Sequence, residues 1–299
     1  MAEKDWGQAH VNNTVGFGQG YINSTNGWGS IYPASDSGIT SLTGFYNDAI
    51  VVEYTLTADS YEVQIEVIDE GTISFFINWG DGTIEEVTSA KPYTAPLSHT
   101  YALAGTYNVQ ILGSWGDLTF GKRAGTWSSP SRSKITDIRQ WGTNVPVKSE
   151  WVFADCDTLT AVTALDSPKP PSGGLMRNMF VFSNNFVGNG SIADWDTTGV
   201  THMQSAFKQC NLTADISKWN LSSITTGSGG MGTFLNGGGI TTANYDLFLK
   251  AMALSTYHTS PTGITIDMGG STYTTAASAG YRSTLTTGKS WTITDGGGI

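Results

Sequence analysis

The sequence predicts a mainly β chain: a small β-sandwich, then a short repeat solenoid with a small α/β cap, all preceded by an extended N-terminal segment. Three observations predict it. Only 13% of the 299 residues are charged while 37 are glycine, a balance that suits short strands and tight turns. The stretch from Ile50 to about residue 113 alternates apolar and polar residues with a period of two, the mark of half-buried strands. Phe153, Phe180, Phe207 and Phe234 fall at a constant interval of 27 residues, and a fixed period of that length marks stacked units that share one core.

The first element is residues 1–37. Trp6-Gly7, Phe17-Gly18 and Trp28-Gly29 recur every eleven residues, with the polar triplets Asn12-Asn13-Thr14 and Asn23-Ser24-Thr25 between them. A segment this short and glycine-rich does not fold alone. It orders by laying its aromatics on another surface, at an entropy cost of about 1–2 kcal/mol per residue. Trp6, Phe17 and Trp28 are its candidate anchoring residues.

Residues 38–115 form the sandwich. In YEVQIEVIDE, Tyr61, Val63, Ile65 and Val67 lie on one face and Glu62, Gln64 and Glu66 on the other. A strand then runs into the turn Trp79-Gly80-Asp81-Gly82-Thr83, followed by His99-Thr100-Tyr101 and by Ala104-Gly105-Thr106-Tyr107 leading a further strand. The glycines permit a tight turn, Asp81 can bond its own backbone, and Trp79 and Tyr107 can pack between sheets. Residues 116–134, rich in Gly, Ser and basic residues, read as a connector.

Residues 135–240 form the solenoid. Cys156, Ser183, Cys210 and Gly237 share one small-residue column, Met176, Met179, Met203 and Met231 precede the phenylalanines, and DWDTTGVTHM echoes KWNLSSITTG. The loop SPKPPSGGL interrupts the spacing. Phe153, Phe180, Phe207 and Phe234 are read as its core. Residues 241–299 read as a cap, with Tyr245, Phe248, Leu249 and Met252 at helical spacing behind a threonine N-cap and with strands GITIDMGG and SWTITDGGG.

Three resemblances attach to these residues. The order WGDGT, HTY, AGTY resembles the PKD domain, a small immunoglobulin-like sandwich, with Trp79, Asp81, His99, Tyr101 and Tyr107 as its motif residues. Trp195-Asp196, Val200, Met203 and Phe207, repeated loosely at Trp219-Asn220, Ile224, Met231 and Phe234, resemble the BspA-like leucine-rich repeats of bacterial surface proteins. The opening repeat resembles the N-termini of tailed-bacteriophage structural proteins, in which such a segment precedes a variable outer module.

Composition narrows the function. A net charge of −10 and a pI near 4.7 leave no basic face for a phosphate backbone, so no nucleic-acid partner is expected. No stretch reaches the roughly 18 apolar residues of a membrane span, and the N-terminus has neither an apolar signal core nor a lipidation cysteine. No membrane partner and no ordinary export are expected.

No catalytic, metal or cofactor site is expected either. Asp81 reads as a turn aspartate, since calcium needs about six to eight oxygens. Cys156 and Cys210 read as small core residues, about 10 Å apart if they sit two rungs apart, too far to bridge. His10, His99, His202 and His258 lack metal spacing, Ser278 sits in an alanine-rich helix rather than a nucleophile elbow, and Asp194, Asp196 and Asp215 read as loop residues.

Outward-facing modules without a leader are expected on a virus particle assembled in the cytoplasm. The resemblances imply a non-enzymatic virion protein, anchored to capsid or tail proteins by residues 1–37, oligomeric as a trimer or dimer, and decorating the particle, forming a fibre or adhering to a host glycan or protein. The alternative is a bacterial surface adhesin of the BspA-like type whose leader lies upstream of Met1.

Overall fold

The computed structural model describes residues 48–68, 73–92, 94–123, 127–143, 150–160, 162–168, 174–188 and 190–299. The opening repeat, with Trp6, Phe17 and Trp28, lies outside the described residues. Asp48–Ile299 forms one compact unit and is mainly β.

The first part holds β1 (Ile50–Leu56), β2 (Tyr61–Ile68), β3 (Ser74–Asn78), β4 (Ile84–Val87), β5 (Leu97–Tyr101), β6 (Gly105–Ser114), β7 (Asp117–Thr119), β8 (Lys122–Arg123), β9 (Trp127–Ser128) and β10 (Ile135–Gln140). One antiparallel sheet has the order β10-β1-β6-β3-β4 and a second has β5-β2-β7. Their inward residues, among them Val52, Tyr54, Val63, Ile65, Phe75, Ile77, Val109 and Ile111, belong to one buried cluster. The period of two in β2 serves this arrangement, because Val63, Ile65 and Val67 all point into that cluster. β1 lies between two neighbours and is buried almost throughout, which explains why IVVEYTL is apolar with little alternation.

Two segments differ from expectation. Residues 116–134 are not a loose connector: β7 completes the second sheet by pairing with β2, Val67 opposite Leu118. Arg123 then ties Glu66 and Asp117, both almost fully buried, through bonds of 2.9 Å each, and reaches the Thr119 hydroxyl as well. Buried carboxylates need such partners, and basic residues that look like linker composition supply them. Ile135–Gln140, counted with the solenoid in sequence, is β10 and pairs antiparallel with β1.

From residue 120 onward the backbone climbs a parallel hydrogen-bonded ladder. Phe120 N–H donates to Val152 O (2.9 Å), Phe153 N–H to Met179 O (2.9 Å) and Phe180 N–H to Ala206 O (2.8 Å). The side chains of these rungs stack as well. Phe120–Phe153, Phe153–Phe180 and Phe180–Phe207 have ring centroids 5.2, 5.7 and 5.4 Å apart and planes within 15°. Each such pair adds about 0.5–1.5 kcal/mol beyond its buried area. Beside them run the tryptophans, with Trp195 stacked on Trp219 at 5.9 Å and edge-on to Trp141 at 5.4 Å.

The 27-residue period breaks at one place. Phe207 N–H donates to Phe234 O, not to residue 233, and Gln209 N–H donates to Asn236 O, so the step above Phe207 is one residue longer. Leu235 therefore continues the phenylalanine column and Phe234 does not. Phe234 is still fully buried, but it meets Phe207 edge-on at 73°. By the same shift Gly238, not Gly237, stands above Cys210. A Cβ at Gly238 would lie 1.8 Å from Cys210 O, so only glycine fits.

Residues 241–299 extend the ladder as well as cover it. Leu235 N–H donates to Asp267 O and Met268 N–H to Thr294 O, both at 2.8 Å. Ile264–Asp267 pairs parallel with Thr292–Thr294, and Thr272–Tyr273 with Gly297–Gly298. The helix Thr242–Leu254, capped by the Thr241 side chain, buries Tyr245, Phe248, Leu249 and Met252 against this side.

Candidate functional site

The turn Trp79–Thr83 is built by glycine and closed by aspartate. Gly80 and Gly82 have φ of +83° and +98°, and a Cβ at Gly80 would lie 2.8 Å from Asn108 O. Trp79 N–H donates to Thr83 O, and Asp81 Oδ1 accepts from Thr83 N–H at 2.9 Å. On its other oxygen, Asp81 meets His99 Nε2 at 2.7 Å. Burial raises the Asp81 carboxyl pKa, but the bonds from His99 and Thr83 more than reverse this and hold it below the ordinary value. His99 stacks on Trp79 at 4.9 Å, Tyr101 OH donates to Trp79 O at 2.7 Å, and Tyr107 packs on Tyr101 at 4.1 Å.

All five motif residues thus form one cluster at the end of the two sheets. The Asp81 carboxylate, His99 Nε2 and the Tyr101 and Tyr107 hydroxyls are spent on another member or on nearby backbone, while the Trp79 indole N–H is buried without a partner among the described residues. The cluster fixes a turn, and it presents no converging carboxylates. Among the described residues no group of three or more His, Cys, Asp or Glu could hold a metal ion, and no helix is long and apolar enough to cross a membrane.

The other reactive side chains are committed in similar ways. Cys156 and Cys210 are free and buried, and burial pushes both thiols far above their usual pKa. Cys156 N–H donates to Ser183 Oγ at 3.0 Å, while the Cys210 thiol faces Phe180 O at 3.2 Å. His202, its pKa lowered by burial and by neighbouring Arg177, bonds the Thr201 hydroxyl at 2.9 Å. Ser278 is buried within the helix Thr275–Ser283. Asp196 and Asp215 each accept a backbone N–H two residues on, from Thr198 and Ser217, and Asp194 faces Lys218 at 3.6 Å. These are turn and surface carboxylates.

The outward side of the ladder carries a feature that sequence spacing did not reveal. Two columns of residues have left-handed backbones: Trp151, Asn178, Ser205 and Thr233 in one, Asp155, Phe182, Gln209 and Gly237 in the other. The non-glycine members have φ between +56° and +65°. A left-handed backbone costs a side-chain-bearing residue about 1–2 kcal/mol. Glycine would suit every one of these positions, yet seven of the eight carry side chains and all seven are half-exposed. No glycine pattern marks these turns, so nothing in the sequence announces them.

Residues 148–231 match a family described as Mycoplasma protein of unknown function, DUF285, which is of the BspA-like surface-repeat kind. The match spans the rungs of Phe153, Phe180 and Phe207 and ends at Met231. No curated protein and no solved structure matches the chain.

Proposed function

We propose that the chain is a non-enzymatic structural protein of a virus particle of the tailed-bacteriophage kind. Residues 1–37 anchor it to capsid or tail proteins through Trp6, Phe17 and Trp28, and a PKD-like sandwich and a BspA-like solenoid are displayed outward. The protein assembles as a trimer or dimer, and the displayed part decorates the particle or adheres to a host-surface glycan or protein. One observation supports this reading above others. An aromatic-glycine repeat precedes a body whose sheets and ladder share a single core and in which both cysteines are buried and the Asp81–His99 pair closes a turn. Such a body suits display at a fixed orientation, and repeated copies multiply weak contacts.

Deletion of residues 1–37 tests the anchor. The remainder is expected to stay soluble and folded and to disappear from purified particles. Particles that still carry the truncated protein would overturn the proposal.

A bacterial cell-surface adhesin is the second reading, favoured by the BspA-like match over residues 148–231. It requires the protein on intact, uninfected cells, where surface labelling would find it.

A further inference from the structure

The upper end of the ladder is a strand edge with an arginine laid across it. Among the described residues, Thr292–Thr294 pairs with Ile264–Asp267 and with no further strand. Along a strand, the backbone groups of successive residues point alternately to one neighbour and to the other. Thr294 O accepts from Met268 N–H, toward the ladder, so the groups of Trp291 and Ile293 point away from it. Residues 275–288 meet them there. Trp291 N–H donates to Leu285 O at 3.0 Å, and Ile293 O accepts from Arg282 Nη2 at 3.2 Å. Asp295 holds Arg282 over this edge through bonds of 2.8 and 3.2 Å, and the guanidinium lies 5.8 Å over the Tyr273 ring. The Asp295 side chain is almost fully buried and also accepts from Tyr245 OH at 2.7 Å. One carboxylate thus ties the last strand to the helices Thr242–Leu254 and Thr275–Ser283.

We propose that Arg282 and Asp295 form a stop that keeps two copies of this chain from joining through their upper ends. With the arginine gone, Ile293 offers its N–H and C=O to the same residue of a second copy, in an antiparallel pair that exchanges both bonds. The lower end cannot be the partner surface, because Phe120 bonds to Val152 O directly after β7 and the sheets occupy that side. An edge open at one end alone joins head to head about a two-fold axis, and the assembly closes. Thr292 and Thr294 are exposed and bring no charge against such pairing. Uncovered edges recruit further strands, and a charge or a covering segment on the edge prevents it. The stop goes beyond the displayed-protein reading and holds wherever the chain resides.

The test is disulfide trapping in the full chain, whose own cysteines are buried. Pairing centred on Ile293 sets Thr292 of one copy opposite Thr294 of the other at a non-hydrogen-bonded position, about 4.5 Å between Cα atoms, which a disulfide can span. Thr292→Cys and Thr294→Cys chains are mixed, oxidised and run on a non-reducing denaturing gel, with and without Arg282→Ala in both. Arg282→Ala is expected to raise the mixed covalent dimer by about tenfold or more, since two backbone bonds become available. The Thr292→Cys chain oxidised by itself should gain far less. Arg282→Ala leaves the buried Asp295 without its charge partner; should it melt early, Arg282→Met with Asp295→Asn removes both charges together and must give the same dimer.

Equal trapping by folded protein with and without Arg282, or equal trapping of matched and mixed cysteine positions, overturns the proposal. So does a folded Arg282→Met, Asp295→Asn chain that gives no mixed dimer. Association through any other surface changes neither comparison.

Discussion

Phe120→Ala probes the joint between the sheets and the ladder. Phe120 is fully buried, stacks on Phe153 at 5.2 Å with planes 4° apart, and follows directly on β7. Its truncation removes a buried aromatic side chain and opens a cavity among atoms held by two separate hydrogen-bond systems, so little collapse can fill it. The expected cost is about 3–5 kcal/mol, which for a unit of this size corresponds to a fall of about 10 °C in melting temperature. Differential scanning calorimetry of the full chain provides the assay. Wild type should melt in one transition with equal calorimetric and van't Hoff enthalpies. Leu103→Ala, at a site 65% exposed, serves as the control and should change stability by no more than about 0.5 kcal/mol. Two wild-type transitions, or a Phe120→Ala shift no larger than that of Leu103→Ala, would show that residues 116–134 link two independent bodies and would refute the reasoning.

Gly238→Ala should cost more than Gly237→Ala, near the top of the roughly 1–3 kcal/mol range for overpacking, because its Cβ strikes the immovable Cys210 backbone, while at Gly237 the Cβ meets the Gln209 side chain at 3.1 Å and the left-handed backbone costs alanine about 1–2 kcal/mol; equal denaturant midpoints would place the register step elsewhere. The Asp81 carboxyl has a lower pKa folded than unfolded, so its stabilisation is present above the unfolded value near 3.8 and is lost as pH falls through the folded value. Asp81→Asn should therefore flatten the acid limb of a melting-temperature profile below about pH 4, and a limb as steep as in wild type would remove Asp81 as its cause. Phe207→Ala, in the middle of the stack, should cost about 3–5 kcal/mol, and an unchanged urea midpoint would count against the stacked column.

Much of the ladder was legible because its period is written in one residue type. Phe153, Phe180 and Phe207 carry the same side chain at the same spacing, and the ladder bonds follow them. Phe120 belongs to the same column but lies 33 residues before Phe153, among glycines and basic residues, so no period points to it. The step at Phe234 was hidden by chemistry: Phe234 and Leu235 are both apolar and both fully buried, and only backbone bonding tells which one continues the column. In the WGDGT cluster, spacing brought the right residues forward, but the Asp81–His99 contact joins a turn to a strand 18 positions on and follows only from the sheets. The outward columns left no trace, because Trp151 and Phe182 occupy backbones at which a reader looks for glycine.

The interlocking of the first rung with the sheets has a consequence for how such a chain can change length over generations. Duplicating or deleting a unit at the lower end would separate Phe120 from Phe153 and break the bonds from Thr163 and Ala164 to Ile138 O. At the upper end, the longer step over Gly238 and the pairing of Ile264–Asp267 with Thr292–Thr294 are equally fixed. Only the interval between Phe153 and Phe207 keeps a uniform period. Insertions tolerated by the fold therefore fall there, in whole units of 27 residues, each lengthening the molecule by about 4.8 Å. Relatives of different length should differ by multiples of that unit in that interval, with both ends unchanged.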